Sequence, residues 1–274
     1  MTDKPLVSVI MGVYNCADTL NEAIDSIINQ TYAEWVFIIC DDGSTDASYS
    51  IAMDYAKRYP EQFIVIKNER NMGLNYTLNR CLNHVKTEFV ARMDGDDISL
   101  PERFEKLLEA FDKEPDLAVV SSAMKFFDEN GIWGECGAAY EYPQPEQLIK
   151  ASAHFHAPSM LRTDVIKAVG GYTIDKRLLR VEDRHLWLKI YSNGWRGKNL
   201  SEALYMVRDD REAKQRRNFR ARINGVYVTS LAIRTLHLKK RNYIYAIRPL
   251  LVWMLPNGIY DLFLRKTITK RHTI

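Results

Sequence analysis

The sequence predicts an α/β fold: a mostly parallel, doubly wound sheet with helices on both faces and a helical extension at the C-terminal end. Two observations predict it. Short apolar, β-branched runs alternate with helix-period segments as far as Met124, the order that winds a chain into parallel strands joined by crossover helices. Three of those apolar runs also end in polar clusters, Tyr14-Asn15, Asp41-Asp42 and Asp94 to Asp97. In such sheets ligands bind beyond the carboxyl ends of the strands, so the clusters are expected to converge on one cleft.

The elements are read in order. Leu6–Val13 is the first strand. Asp18 is placed to cap a helix whose apolar face is Leu20, Ala23, Ile24, Ile27 and Ile28, spaced i, i+3, i+4, i+7, i+8. Trp35–Cys40 is the second strand, Ala47–Arg58 a helix, Phe63–Ile66 the third strand and Asn75–His84 a helix that Asn75 is placed to cap. Phe89–Met93 is the fourth strand, and Ser99-Leu100-Pro101-Glu102 reads as a capping box with an early proline, starting a helix that runs to about Lys113. Leu117–Met124 is the fifth strand.

Asp128-Glu129-Asn130-Gly131 between apolar pairs reads as a hairpin with an Asn-Gly turn. Thr163–Val169 is a short helix stopped by Gly170-Gly171, and Glu182–Ser192 a helix stopped by Asn193-Gly194. Two longer helical patterns follow, Asn218–Leu238 and Tyr243–Leu255. The expected division is a catalytic unit over residues 1–210, with a nucleotide half to about 125 and an acceptor half over 126–210. A basic helical extension then covers 211–274.

Composition narrows the partners. The chain has 274 residues, 46% hydrophobic and 27% charged, an ordinary globular balance. A net charge of +3 gives no case for nucleic acid, and none is expected as a partner. The basic character gathers in the C-terminal third, which taken alone points to phosphates, anionic lipid or nucleic acid. The four cysteines form no CxxC pair, so they read as reduced structural thiols and not as a zinc site. No signal peptide is read before Val7, and no apolar run reaches about 18 residues.

Asp94-Gly95-Asp96-Asp97 is the sharpest chemical signal. Three carboxylates within four residues repel one another, and hard divalent cations take oxygen ligands. The bland alternative is an acidic turn in which Asp97 caps the next helix. At Asp41-Asp42-Gly43-Ser44-Thr45-Asp46 an aspartate could accept from a base N–H or a ribose hydroxyl, or the segment is a turn with Ser44 or Asp46 as a helix cap. Glu182-Asp183 opens a helix, where the dipole favours carboxylates. Asp183 shares the inward face of Leu186, Trp187 and Ile190, whereas Glu182 shares the wetter side of His185 and Lys189. Asp183 is therefore the better candidate for a general base. His154 and His156 read as structural hydrogen-bonders, and Arg208 to Arg217 as either a phosphate clamp or a solvated loop.

Together these segments resemble the family 2 glycosyltransferases, enzymes of the GT-A fold, from Val7 to about Val207. The resemblance rests on Val13-Tyr14-Asn15, Asp41 to Asp46, Asn71-Met72-Gly73-Leu74-Asn75 and Asp94-Gly95-Asp96-Asp97. His156-Ala157-Pro158-Ser159, Gly170-Gly171-Tyr172 and Glu182-Asp183 through Leu186-Trp187 complete it. It implies an inverting enzyme that binds a nucleoside-diphosphate sugar, expected to be a UDP-sugar, with Mn²⁺ or Mg²⁺. Tyr14, Asn15, Asn71, Gly95 and one of Asp41 or Asp42 would line the nucleotide-sugar site. Asp94 would face the ribose or diphosphate, Asp96 would hold the metal with Asp94 beside it, and Asp183 would be the base. His156, Glu182, Trp187 and Arg208 are candidates for acceptor or phosphate contacts.

The Gln-x-x-Arg-Trp pattern of processive synthases is absent at Gln215 to Phe219, so the chain looks more like single-addition enzymes of bacterial surface polysaccharides. A saccharide acceptor, lipid-linked, and a cytoplasmic position against the inner membrane face are expected. Ile247 to Leu264 is the segment expected to touch the membrane. A haloacid-dehalogenase-like phosphatase and a non-catalytic sugar-nucleotide binder are the alternatives. Against the first, Ile98 stands where Thr or Val normally follows the second aspartate.

Overall fold

The computed structural model describes residues 6–208 and 219–253. The chain order opens β1 (Val7–Val13), α1 (Leu20–Ile28), β2 (Trp35–Asp41), α2 (Ser48–Arg58), β3 (Phe63–Lys67), α3 (Leu74–His84) and β4 (Phe89–Asp94). Then come β5 (Ile98–Ser99), α4 (Arg103–Lys113), β6 (Leu117–Asp128), β7 (Gly131–Cys136), β8 (Met160–Arg162) and α5 (Thr163–Ala168). α6 (Glu182–Ser192), β9 (Arg196–Arg208), α7 (Phe219–Thr235) and α8 (Tyr243–Trp253) complete it.

The strands form one sheet in the order β3-β2-β1-β4-β8-β6-β9-β5, with β7 paired to β6. The first four strands are parallel, as the alternation predicts. The fifth predicted strand is β6, and it does not sit beside β4. The short β8 lies between them, antiparallel to both. Three residues carry too little pattern to show in a sequence. The long β9, parallel to β6, was also absent from the sequence reading, because its Asn199, Ser201 and Glu202 break the apolar alternation.

Residue alternation assigns the two faces. On β1, Val7, Val9, Met11 and Val13 pack with Leu20, Ile24 and Ile27 of α1 and with Phe104, Leu107 and Phe111 of α4. Ile10 points the other way, into a second core with Leu78 and Leu82 of α3, Ile166 of α5, and Leu186 and Trp187 of α6. β4 divides likewise: Ala91 and Met93 join the first core and Val90 the second. Arg92 and Asp94 therefore share the face of Val90, toward α6.

Three predicted caps are corrected. Ser99 lies in β5, opposite Tyr205 of β9, and its hydroxyl accepts from Gln30 and Arg103 instead of capping α4. Asn75 lies inside α3 and donates to the carbonyl of Thr173. Thr19, not Asp18, precedes α1, and its hydroxyl donates to the carbonyl of Gly95. For Ser99 and Asn75 a long-range partner outcompetes the local one. The hairpin at Asn130-Gly131 is present, as is the stop of α5 by Gly170 and Gly171, both at positive φ.

Leu78 is fully buried between α3 and the sheet. Leu78→Ala is expected to cost about 2–5 kcal/mol by lost burial and an unfilled cavity, measured by urea unfolding. A loss below about 1 kcal/mol would show that this face is not close-packed.

Candidate active site

Register brings the polar clusters together. Gly12 of β1 stands opposite Cys40 on one side and Asp94 on the other, and Val13 stands opposite Asp41. The loops after β1 and β2 clasp each other. The N–H of Asn15, a residue at φ 52°, donates to the Ser44 hydroxyl, and its side-chain oxygen accepts from the N–H of Thr45. Asp46 accepts from the N–H groups of Ala17 and Ser48, so it caps α2 while tying down the first loop. Burial opposes its charge, but the hydrogen bonds from Ser48 and Ala17 hold its carboxyl below the usual carboxylate range. Asn15 is thereby a loop fastener, and Tyr14 beside it is 47% exposed at the cleft rim.

The two adjacent aspartates separate. Asp42 is saturated: it accepts from Asn68 Nδ2 at 2.6 Å and from the N–H groups of Met72 at 2.8 Å and Gly73 at 2.9 Å. It shapes the loop that carries the exposed Asn71. Gly43 allows that loop to close, since a Cβ there would lie 2.6 Å from the Arg70 backbone. Asp41 accepts from the N–H of Ser44 through Oδ2, which lies 3.8 Å from Lys67 Nζ. Its Oδ1 is buried with no hydrogen-bond partner among the described residues. Of the pair, Asp41 has capacity left for a ligand.

After β4 the chain turns sharply. Gly95 fits close to Cys16, whose sulfur would be 3.2 Å from an added Cβ. Asp94 is half-exposed and pairs with the buried Arg92 at 2.6 Å. Asp96 is exposed. Asp97 is buried and accepts from the N–H of Arg208 at 2.9 Å, so it fastens β9 and does not cap α4. Burial, then the charges of Asp94 and Asp96, pushes its carboxyl well up. The Arg208 guanidinium donates to the carbonyl of Asp96, pairs with Glu22 and lies 4.4 Å over the Phe127 ring. Arg208 is therefore neither a phosphate clamp nor a solvated residue but a strap on the acidic loop, and the rest of that expected clamp or solvated loop, 209–217, lies outside the described residues.

The far side of the cleft is built by α6 and the loop before β8. Asp183 and Glu182 are both half-buried, and burial raises both carboxyls. Glu182 shares its side with the half-buried His185 and Lys189, while Leu186, Trp187 and Ile190 beside Asp183 are buried. His156 Nε2 meets the Tyr172 hydroxyl at 2.8 Å, and burial followed by the Arg92 charge holds this imidazole neutral. The Tyr172 hydroxyl lies within electrostatic reach of Glu182, Asp183 and Asp94 alike, which brings the two banks together. Trp187 is fully buried, edge-on to His154 and His156, and offers the cleft no surface. This corrects its reading as an acceptor contact.

Arg92, Arg103, Tyr172 and Tyr205 were not singled out from the sequence as site residues. A charged residue inside the apolar run Phe89–Met93 was the available signal. Arg103 is fully buried, and its guanidinium donates to the carbonyls of Arg92 at 2.7 Å and Ala157 at 3.1 Å. Among the described residues no group of three or more His, Cys, Asp or Glu side chains gathers as a metal centre.

A family model for "Glycosyl transferase family 2" matches residues 8–170. The chain is a family 2 glycosyltransferase. The glycosyltransferase is 39% identical over 268 residues to EpsE of Bacillus subtilis (strain 168), covering 98% of this chain and 96% of that protein. It is 32% identical to an Escherichia coli UDP-Gal:alpha-D-GlcNAc-diphosphoundecaprenol beta-1,3-galactosyltransferase, covering 88% of this chain and 86% of that protein. Among solved structures, S. aureus TarS 1–349 with UDP-GlcNAc superimposes at a TM-score of 0.70 with 20% identity, over 89% of this chain and 71% of that one. Mannosyltransferase PcManGT from Pyrobaculum calidifontis, in complex with GDP-Man and Mn²⁺, gives 0.66 with 18% identity, over 97% and 80%. These likenesses carry the shared GT-A fold. The phosphatase and non-catalytic readings are set aside by the family match.

The division between Asp41 and Asp42 is testable. Asp42→Ala is expected to cost about 2–3 kcal/mol or more, since it strands buried donors. Asp41→Asn should leave thermal unfolding near wild type but weaken nucleotide binding in calorimetry. Equal destabilisation by both would refute the split.

Proposed function

We propose that the enzyme is an inverting, metal-dependent transferase that passes a sugar from a UDP-sugar to a hydroxyl of a lipid-linked saccharide in surface-polysaccharide synthesis. One observation carries the reading: the acidic loop after β4 and the carboxylates of α6 both act on the buried Tyr172 hydroxyl, which also meets His156. The names of the Escherichia coli relative and of the TarS complex support a UDP-sugar, and that relative's name supports a diphosphoundecaprenol-linked acceptor.

Tyr14 offers its exposed ring to the base, and Asp41 Oδ1 accepts from the base or ribose. Asp94, held by Arg92, accepts from a ribose or sugar hydroxyl. Asp96 is the exposed carboxylate suited to the metal, with Asp94 beside it. Hard divalent cations bound with nucleotides take one or two carboxylates plus phosphate oxygens and water, so an open pair fits where a closed cage would not. Mn²⁺ or Mg²⁺, when bound there, supplies charge neutralisation for the leaving diphosphate. Asp183 removes the acceptor proton as the oxygen attacks the anomeric carbon from the face opposite the nucleotide. His156, kept neutral, and Glu182 line the acceptor side.

Among the described residues no helix is long and apolar enough to cross a membrane. Ile244 and Ile247 of α8 are 62% and 47% exposed, next to Lys239, Lys240, Arg241 and Arg248. Such a face suits the cytoplasmic, anionic leaflet of the membrane. The remainder of the expected membrane segment, from Met254 to Leu264, lies outside the described residues.

Asp183→Asn is expected to lower kcat by roughly 10²-fold or more with little change in donor affinity. The base must be ionised, and burial raises the Asp183 carboxyl. Activity should therefore fail, as pH drops, at a higher pH than the usual aspartate value of about 3.9. Asp96→Ala and chelation should each abolish turnover, and full activity of Asp96→Ala in excess chelator would refute the metal role. For the membrane, the full chain should co-sediment with anionic vesicles at low salt, and a double change of Ile244 and Ile247 to Ser should weaken this. Full chain left in the supernatant would disprove the contact.

A further inference from the structure

Resting on the reading above, we propose that Arg92 is a positioning residue shared by the two banks of the active site. It orients Asp94 on the donor side and compensates the buried carboxylates Glu182 and Asp183 on the acceptor side.

β4 fixes where the side chain points. Alternation sets Arg92 and Asp94 on one face, directed toward α6, and the guanidinium is buried, with 3% exposure. A single Nη2–H reaches Asp94 Oδ1 at 2.6 Å, while Nε and Nη1 are buried with no hydrogen-bond partner among the described residues. Burying a cation and leaving two of its donors unmet is costly for a fold. Arg103, a second buried guanidinium that donates to the Arg92 carbonyl, adds like-charge repulsion. A strand needing only stability would carry an apolar residue here, as Val90 does on the same face.

What offsets this cost is the acidic surroundings. The guanidinium is ion-paired to Asp94, and its charge opposes the burial that raises the Glu182 and Asp183 carboxyls and disfavours protonated His156. The backbone is held as firmly as the head: the Arg92 N–H donates to the Ser159 carbonyl, and its own carbonyl accepts from Arg103. The cation therefore sits on a fixed rung beside the loop after β4, on the sheet face that α6 covers. Asp94 is the carboxylate it holds, which leaves Asp96 as the exposed one.

The test uses the full-length enzyme and two substitutions, because either one alone could fail to fold. Arg92→Lys keeps the charge without the planar fork, and Arg92→Gln keeps an N–H without the charge. Calorimetry with UDP and Mn²⁺ reads the donor side, and kcat for hydrolysis of UDP-galactose or UDP-N-acetylglucosamine reads the acceptor side. Each substitution is combined with Asp183→Asn. We expect each folded variant to bind UDP about 10-fold or more weakly. Arg92→Gln should also lower kcat by about 10-fold or more, and lose most of that effect in the Asp183→Asn background. Unchanged UDP affinity and kcat in a folded variant, even one of lower melting temperature, would reduce Arg92 to a structural residue. Effects on kcat that simply add to those of Asp183→Asn would overturn the acceptor-side half. Wild-type protein that binds none of UDP, GDP, CDP or dTDP with Mn²⁺ would remove the donor reading itself, and the inference with it.

Discussion

Everything at the cleft depends on how three parallel strand ends line up. Gly12 lies between Cys40 and Asp94, so the chain leaves β1, β2 and β4 at nearly the same height. Glycine suits the position because a Cβ would come within 3.1 Å of Thr77 and 3.3 Å of Leu74. α3 can therefore lie close against the strand ends and deliver the loop that Asp42 grips. A slip of one residue in this ladder would swap the faces of β4. Arg92 and Asp94 would then turn toward the apolar core of α1 and α4.

Polar residues in this fold divide by what they are bonded to. Asp42, Asp46, Asp97, Asn15 and Arg208 spend their hydrogen bonds on other loops. They form a frame of fixed geometry, as preorganised sites require. Asp41 keeps an unmet oxygen, and Tyr14 and Asp96 remain exposed. Tyr205 ties the frame to the interior: its hydroxyl accepts from the Asp94 N–H, and the Arg103 guanidinium stands 4.9 Å from its ring.

The nucleotide-side fold was legible because its strands are buried on both faces and its helices carry clear apolar stripes. Leu20, Ile24 and Ile27 are found where their spacing puts them, fully buried. The meeting of the strand-end clusters was legible too, because parallel topology dictates it. Which of Asp41 and Asp42 is free was not, since the answer lies in Met72 and Gly73, some thirty positions away. Arg208 could not be told from a phosphate clamp for the same reason: its partners Glu22, Asp96 and Phe127 are assembled only by the fold. Trp187 lies in the core, as its inward helix face implies, and its candidacy as an acceptor contact came only from the resemblance. β8 stayed hidden because three residues beside a helix cap leave no period to read.

The reversed β8 sets where the chain can change length without disturbing the fold. β8 runs against its neighbours, with Met160 opposite Ala91 and Arg162 opposite Phe89, so the chain approaches it from the cleft end. β6 departs toward that same end, and everything between Asp128 and Met160 is an excursion that begins and finishes at the rim. Its far end is pinned, since Ser159 accepts from the Arg92 N–H and Ala157 from Arg103, whereas the Asn130-Gly131 turn at its near end is exposed. The reversed strand works as a hinge pin for inheritance: the exposed turn can drift in length while the ladder of β1, β2 and β4 stays constant.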